Sequence, residues 1–238
     1  MFKGIFFDLG GTLVSYHKVN RTHAPLLLEA ATRMGVGENV DAVKLAYAQA
    51  VQEQTALYAT KDYYLHRDFF QDSFRRCFSL LGAPIESAIE AWYQHEHVTR
   101  IRDCLEVKPD CHATLGALRA KQLYLSIASN IDDDMLDPII EREGLARHFH
   151  DWTSSEGARS CKPHRRFFEI CLEKSGLAAH DVLFVGDSPE HDIAGAHAIG
   201  MATALIVNEG IVPPLQSKQI ALDPDYTIHS LSELTRLV

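Results

Sequence analysis

From Val107 to the C-terminus, short apolar runs alternate with amphipathic segments, and this alternation leaves few folds open. CHATLGALRAKQ, DDMLDPIIEREG, PHRRFFEICLEKSG and DIAGAHAIG have the spacing of helices. LYLSIAS, HFHDWTSS, DVLFVGD and ATALIV read as strands, and the tail closes on a strand near YTI and a helix over SELTRLV. Strands alternating with helices imply a parallel sheet covered on both faces. Residues 4–8 (GIFFD) supply one more buried strand, followed by glycine turns.

Between that first strand and Val107 the texture is different. PLLLEAATRMG, VDAVKLAYAQAVQEQTALY, DYYLHRDFFQDSFRRCFSLLG and ESAIEAWYQHEHVTRIRD are all helical in their apolar spacing, and Gly35, Gly37, Gly82 and Pro84 punctuate them. No strand pattern interrupts the block. The expected architecture is therefore an α/β core with a Rossmann-like parallel sheet, residues 1–14 and 107–238, carrying an all-helical insertion over 15–106.

Composition narrows the function. Against 32 Asp and Glu stand 23 Lys and Arg, a net charge of −9, and no basic run exceeds two residues. Polyanion binding runs on clustered basic charge, so nucleic acid is not the expected partner. The five cysteines, Cys77, Cys104, Cys111, Cys161 and Cys171, are odd in number and form no C-x-x-C pair. They read as reduced thiols in a cytoplasmic protein. The apolar run at the N-terminus is too short for a signal peptide, and no stretch reaches the ~18 apolar residues of a membrane span.

Four segments carry chemistry. In FFDLGGTLV, Asp8 ends the first strand, where open parallel sheets bind ligands, and Gly10-Gly11 leaves backbone amides free to approach an anion. In SIASN, Ser129 ends another strand, and its hydroxyl with the Asn130 N–H can grip a phosphate oxygen. In CKPHRRFFE, Pro163 fits the first position of a helix, which puts Lys162 at the helix mouth. In VLFVGDSPEHDIAGA, Asp187 follows a central strand and Asp192 comes five residues later, a pair suited to Mg²⁺. Each segment alone has a plain alternative: a strand-ending acid, a helix-capping serine, a solvated lysine, a first-turn acid.

Taken in order, D-x-x-G-T, S-N, K-P and G-D-x-x-x-x-D resemble the haloacid dehalogenase superfamily, in its subclass with a helical cap inserted after the first motif. The resemblance implies a Mg²⁺-dependent hydrolase, foremost a phosphatase of a small phosphorylated substrate. It implies that Asp8 attacks phosphorus and that Asp8, the Gly10 carbonyl and Asp187 hold Mg²⁺. Ser129 and Lys162 would bind the phosphoryl group, and Asp192 would steady the metal and the lysine. Leu9, Gly10, Thr12 and Asn130 would make up the phosphate side of the site, with Thr12 orienting the turn.

One position departs from that pattern. Phosphatases of the family usually carry a second Asp two residues after the nucleophile, as general acid and then base, and here that position is Gly10. General acid–base help is typically worth ~10²–10⁴-fold, so its loss favours good leaving groups or a substitute acid. His17, in the connector leaving the core, is the substitute the sequence offers, although a surface histidine is the plainer reading. The same resemblance leaves other functions open. Carbon–phosphorus cleavage would need a cap lysine, for which Lys44 and Lys61 are candidates. Carbon–halogen hydrolysis needs no metal and sits badly with the Asp187/Asp192 pair. A binding or regulatory protein could have lost turnover with the acid. In the cap, His23, Arg33, Lys61, His66, Arg67, Arg75, Arg76, Arg100 and Arg102 read mostly as solvated helix faces.

Overall fold

A computed structural model describes residues 2–207 and 223–238. By its contacts the chain divides into two compact units, Met1–Tyr16 with Glu106–Val238, and His17–Leu105.

The first unit begins with β1 (Gly4–Phe7) and the two-residue β2 (Val14–Ser15). The second unit is α1 (Val19–Arg33), α2 (Val40–Tyr58), α3 (His66–Leu80) and α4 (Ser87–Cys104). The chain returns through β3 (Glu106–Val107), α5 (Cys111–Ala120), β4 (Tyr124–Ser129), α6 (Asp133–Arg142), β5 (Asp151–Ser154), the single turn α7 (Ser155–Ala158) and α8 (Arg165–Ser175). It continues with β6 (Val182–Gly186), a π-helical turn over Pro189–Ala194, β7 (Ala202–Ile206), β8 (Tyr226–Ile228) and a short C-terminal helix over Leu234–Leu237.

Six strands form one sheet in the order β5-β4-β1-β6-β7-β8, all paired in parallel. This is the α/β, Rossmann-like architecture expected from the alternation of runs. β1 and β6 are buried at every residue, as strands covered on both faces must be, and this is why GIFF and VLFVG read as unbroken apolar runs. On one face Phe167, Phe168 and Cys171 of α8 pack with Phe6, Phe184 and Met201. The residue pairs Phe7–Ile127 and Phe7–Val185 set β1 between β4 and β6, so the three strands end side by side.

The helical unit has its own core. Leu26, Leu27 and Ala30 of α1, Val43 and Ala46 of α2, Phe74 and Phe78 of α3 and Tyr93 of α4 bury together. Its cations are largely engaged within it: Arg75 with Glu90, Arg76 with Glu53, Arg100 with Glu96 and Glu29, and Arg33 stacked on Trp92. Lys61 lies 3.5 Å over the Tyr58 ring.

Two details differ from the sequence reading. β2 and β3 pair antiparallel where the chain enters and leaves the insertion, with Val14 opposite Val107 and Ser15 opposite Glu106. Pro163 does not open α8. His164 takes an extended conformation, φ −62° and ψ 132°, and the helix starts only at Arg165.

Candidate active site

Asp8 is the first residue beyond β1, and its N–H donates to the Val185 carbonyl at 2.9 Å, tying it to the end of β6. The turn behind it closes on Leu9, whose carbonyl accepts both the Leu13 and the Val14 N–H at 2.9 Å. The Leu9 side chain itself is buried in the core. Thr12 lies inside this turn, fully buried, and its Oγ1 has no hydrogen-bond partner among the described residues.

Two segments converge on one oxygen of Asp8. Ser129 Oγ, at the end of β4, donates to Asp8 Oδ1 at 2.8 Å, and Lys162 Nζ donates to the same oxygen at 2.7 Å. Lys162 is not a solvated lysine at a helix mouth. It is 3% exposed, in the turn before α8, and its ammonium also donates to the Ala128 carbonyl at 2.9 Å and to Asp192 Oδ1 at 2.6 Å. All three ammonium protons therefore have acceptors, which is what a buried charge requires. Burial alone would lower the Lys162 pKa, but Asp192 and Asp8 beside it outweigh that and hold the lysine charged.

Asn130 places this lysine. Its side-chain amide donates to the Lys162 carbonyl at 2.8 Å while its carbonyl oxygen accepts the Lys162 N–H at 2.7 Å. A residue singled out for its backbone N–H thus uses its side chain to clamp the backbone of Lys162.

Asp187 is the first residue beyond β6, and with Asp8 and Asp192 it offers carboxylate oxygens that all lie within 4.8 Å of one another. Asp192 has both oxygens occupied, Oδ1 by Lys162 and Oδ2 by the Ser188 N–H at 3.0 Å. Asp187 Oδ2, by contrast, is buried and has no hydrogen-bond partner among the described residues. Burial and the neighbouring Asp8 and Asp192 push the Asp187 carboxyl well above the usual carboxylate range. Asp8 is also raised, chiefly by burial, although Lys162 opposes the shift. Lys162 is bound by two of the three carboxylates, Lys108 acts on Asp187 only electrostatically, and a carboxylate oxygen without a donor stands among them. A divalent cation fits that arrangement: hard oxygen donors, an excess of negative charge and an unfilled acceptor.

A model of the haloacid dehalogenase-like hydrolases matches residues 2–200. The chain belongs to this family. A glyceraldehyde 3-phosphate phosphatase of Methanocaldococcus jannaschii is 28% identical over 242 residues, covering all of this chain and 97% of that protein. A haloacetate dehalogenase of a Moraxella species is 27% identical over 130 residues, 55% of this chain and 56% of that one. Among solved structures, a putative hydrolase of the family from Bacillus subtilis, bound to magnesium, superposes with a TM-score of 0.77 at 18% identity, over 99% of this chain and 98% of that one.

Two residues of this haloacid dehalogenase-like hydrolase lie at the site without having announced themselves in the sequence. The first is Tyr16. A Cβ built on Gly10 would collide with the Tyr16 hydroxyl oxygen and stand 2.6 Å from its Cζ, and one built on Gly11 would stand 2.9 Å from its Cε2. The tyrosine ring covers the glycine pair. Burial and the charges of Asp187, Asp8 and Asp192 keep its phenol protonated, well above the usual tyrosine range. A glycine at position 10 leaves space that a neighbour must fill, and that was the available signal. The second is Lys108, just after β3, whose pKa is lowered by burial while Asp187 and Asp110 pull the other way. Nothing in its sequence neighbourhood marks it. His17 is exposed and belongs to the helical unit.

Proposed function

We propose that the protein is a Mg²⁺-dependent phosphatase of a small phosphorylated metabolite, with Asp8 as nucleophile. The observation that carries this reading is the unpartnered, buried Oδ2 of Asp187 beside Asp8, in a cluster with more carboxylates than cations. Carbon–halogen hydrolysis has no use for that excess of negative charge. The similarity to a phosphatase over the whole chain, against half the chain for the dehalogenase, points the same way. Lys44 and Lys61 are weak candidates for carbon–phosphorus chemistry: Lys61 is spent on the Tyr58 ring, and Lys44 is exposed on α2.

Asp8, Asp187 and the Gly10 carbonyl would hold Mg²⁺, with Asp192 supporting through Lys162. The ion would supply the positive charge that lets an anionic nucleophile approach an anionic phosphate. Asp8 attacks phosphorus through one carboxylate oxygen, the bond to the ester oxygen breaks, and an aspartyl-phosphate forms. Lys162 and Ser129 shift their hydrogen bonds from Asp8 Oδ1 towards the phosphoryl oxygens, where fixed donors stabilise charge as it develops. Water then hydrolyses the acyl phosphate and returns the carboxylate. The helical unit would act as the cap that selects the substrate, and the free thiols fit a cytoplasmic setting. Among the described residues no helix is long and apolar enough to cross a membrane.

The test is turnover of small phosphate esters with Mg²⁺, using Asp8→Asn as control. Release of phosphate that is lost on chelation and in Asp8→Asn supports the reading. Turnover that persists in Asp8→Asn removes the nucleophile, and hydrolysis of haloacids but not of phosphate esters replaces the reaction.

A further inference from the structure

The proposed site has donors for the phosphoryl oxygens but none so far for the oxygen that departs. Ser129 and Lys162 are both committed to the Asp8 side. Position 10 has no side chain, and Asn130 spends its amide on Lys162. The Tyr16 hydroxyl is what stands where a residue-10 side chain would begin, so close that a Cβ there would collide with it. Among the described residues no hydrogen bond uses that hydroxyl, although Asp187, Asp8 and Asp192 are near enough to act on it electrostatically. A phenol at neutral pH is a donor as well as an acceptor. An uncommitted donor beside the nucleophile's loop, over the one glycine pair in the site, is placed for an oxygen brought in by the substrate.

We propose that Tyr16 donates a hydrogen bond to the leaving oxygen of the phosphate ester, from the space a side chain at position 10 would occupy. This rests on the phosphatase reading above. When Asp8 bonds to phosphorus, the electron pair of the breaking P–O bond stays on the departing oxygen. Tyr16 holds that oxygen by a hydrogen bond and keeps its own proton, and water supplies the proton that completes the alcohol. A hydrogen bond of this kind matters most where most charge develops, so Tyr16 helps poor leaving groups more than good ones. The pairing also explains why position 10 is glycine here: the two side chains would claim one volume.

The experiment is kcat over a leaving-group series with Mg²⁺, from acetyl phosphate and p-nitrophenyl phosphate through phenyl phosphate to glycerol phosphate, for the unaltered protein and Tyr16→Phe. Loss of one donor to developing charge costs roughly ten- to hundredfold in rate. That loss is expected for glycerol phosphate and a much smaller one for acetyl phosphate, so the dependence on leaving-group acidity steepens. The affinities for Mg²⁺ and for vanadate should stay within about twofold, because the ring still covers Gly10 and Gly11. A uniform fall across the series, or weakened Mg²⁺ and vanadate binding, would make Tyr16 a packing residue and overturn the inference. So would an unchanged series. A second pair of variants checks the shared volume. Gly10→Asp should lower the Tm, and Gly10→Asp with Tyr16→Gly should recover it; failure to recover contradicts the shared space. If the unaltered protein turns over no ester in the series, the phosphatase reading falls and this inference with it. If it does and Tyr16→Phe matches it, only the inference falls.

Discussion

Lys162 and Asp192 form a buried ion pair, Nζ to Oδ1 at 2.6 Å, with side chains 1% and 2% exposed. Such a pair is costly to break from one side, because the remaining charge has no water to turn to. Removing one partner of a buried pair typically costs about 3–5 kcal/mol. Lys162→Met is expected to lose stability on that scale, measured by chemical denaturation, and to lose phosphatase activity. Lys162→Met with Asp192→Asn should regain part of the stability and none of the activity, which separates the lysine's structural charge from its role at Asp8.

Asp187 should behave in the opposite sense. Its buried Oδ2 has no donor, and neighbouring carboxylates repel its charge. Asp187→Asn is expected to stabilise the metal-free protein by about 1 kcal/mol, the lower end of the cost of an unsatisfied buried group. The same variant should lose the rise in Tm that Mg²⁺ gives the unaltered protein. Calorimetry with chelator and with Mg²⁺ reads both effects.

Gly11 has φ +71°, and a Cβ there would lie 2.6 Å from Asp187 Cγ. Gly11→Ala combines a left-handed conformation, about 1–2 kcal/mol for a residue with a Cβ, with displacement of Asp187. The expected outcome is a lower Tm and Mg²⁺ affinity weakened on the order of tenfold, the lower end of the effect of disturbing groups that orient metal ligands. Titration calorimetry with Mg²⁺ checks it.

Asn130→Ala removes both hydrogen bonds that fix the Lys162 backbone. The expected stability cost is about 1–3 kcal/mol, and a loosened Lys162 should lower kcat roughly ten- to hundredfold. The aspartate nucleophile remains, so residual turnover should still be lost on adding Asp8→Asn.

The helical unit should be sensitive to mild acid. His97 is buried and His23 half-buried among Tyr47, Tyr93 and Phe70, and His23 Nε2 pairs with the Tyr93 hydroxyl at 2.7 Å. Burial holds their pKa values down to about 4 and about 3. Unfolding restores an ordinary value near 6.5, so the unfolded state takes up protons first as pH falls. Stability is therefore fully present above about pH 6.5 and declines from there towards pH 4, by at most about 1.4 kcal/mol per pH unit for each histidine. Tm measured from pH 7.5 to 4.5 should fall less in His97→Phe than in the unaltered protein.

Much of this architecture was readable because burial leaves a periodic trace. The unbroken runs of β1 and β6 and the helical spacing of α1 to α4 report directly on what each face touches. Asp8, Ser129, Lys162 and Asp187 could be singled out as candidates because each lies at a strand end or just before a helix, and Asp192 because it follows Asp187 by five residues. Features set by a few local torsions or by space were not readable. β2 and β3 have two residues each, too few for a period of two to show. The start of α8 depends on the extended His164, which no residue preference signals. Asn130 acts through a contact with a residue 32 positions away, and Tyr16 acts by filling the volume above Gly10.

The antiparallel contact of Val14–Ser15 with Glu106–Val107 has a consequence for how such a chain can be remodelled. The insertion leaves and rejoins the α/β unit at two strands that already lie side by side. A two-residue turn beginning at Tyr16 would reconnect them as an ordinary hairpin and keep that residue in the chain. The helical segment is thus a cassette: its two ends are held together by this strand pair, so a replacement of any length can enter there while the pairing of the six-stranded sheet stays as it is. A lineage can exchange the cassette while Asp8, Ser129, Lys162 and Asp187, all carried by the α/β unit, are inherited unchanged.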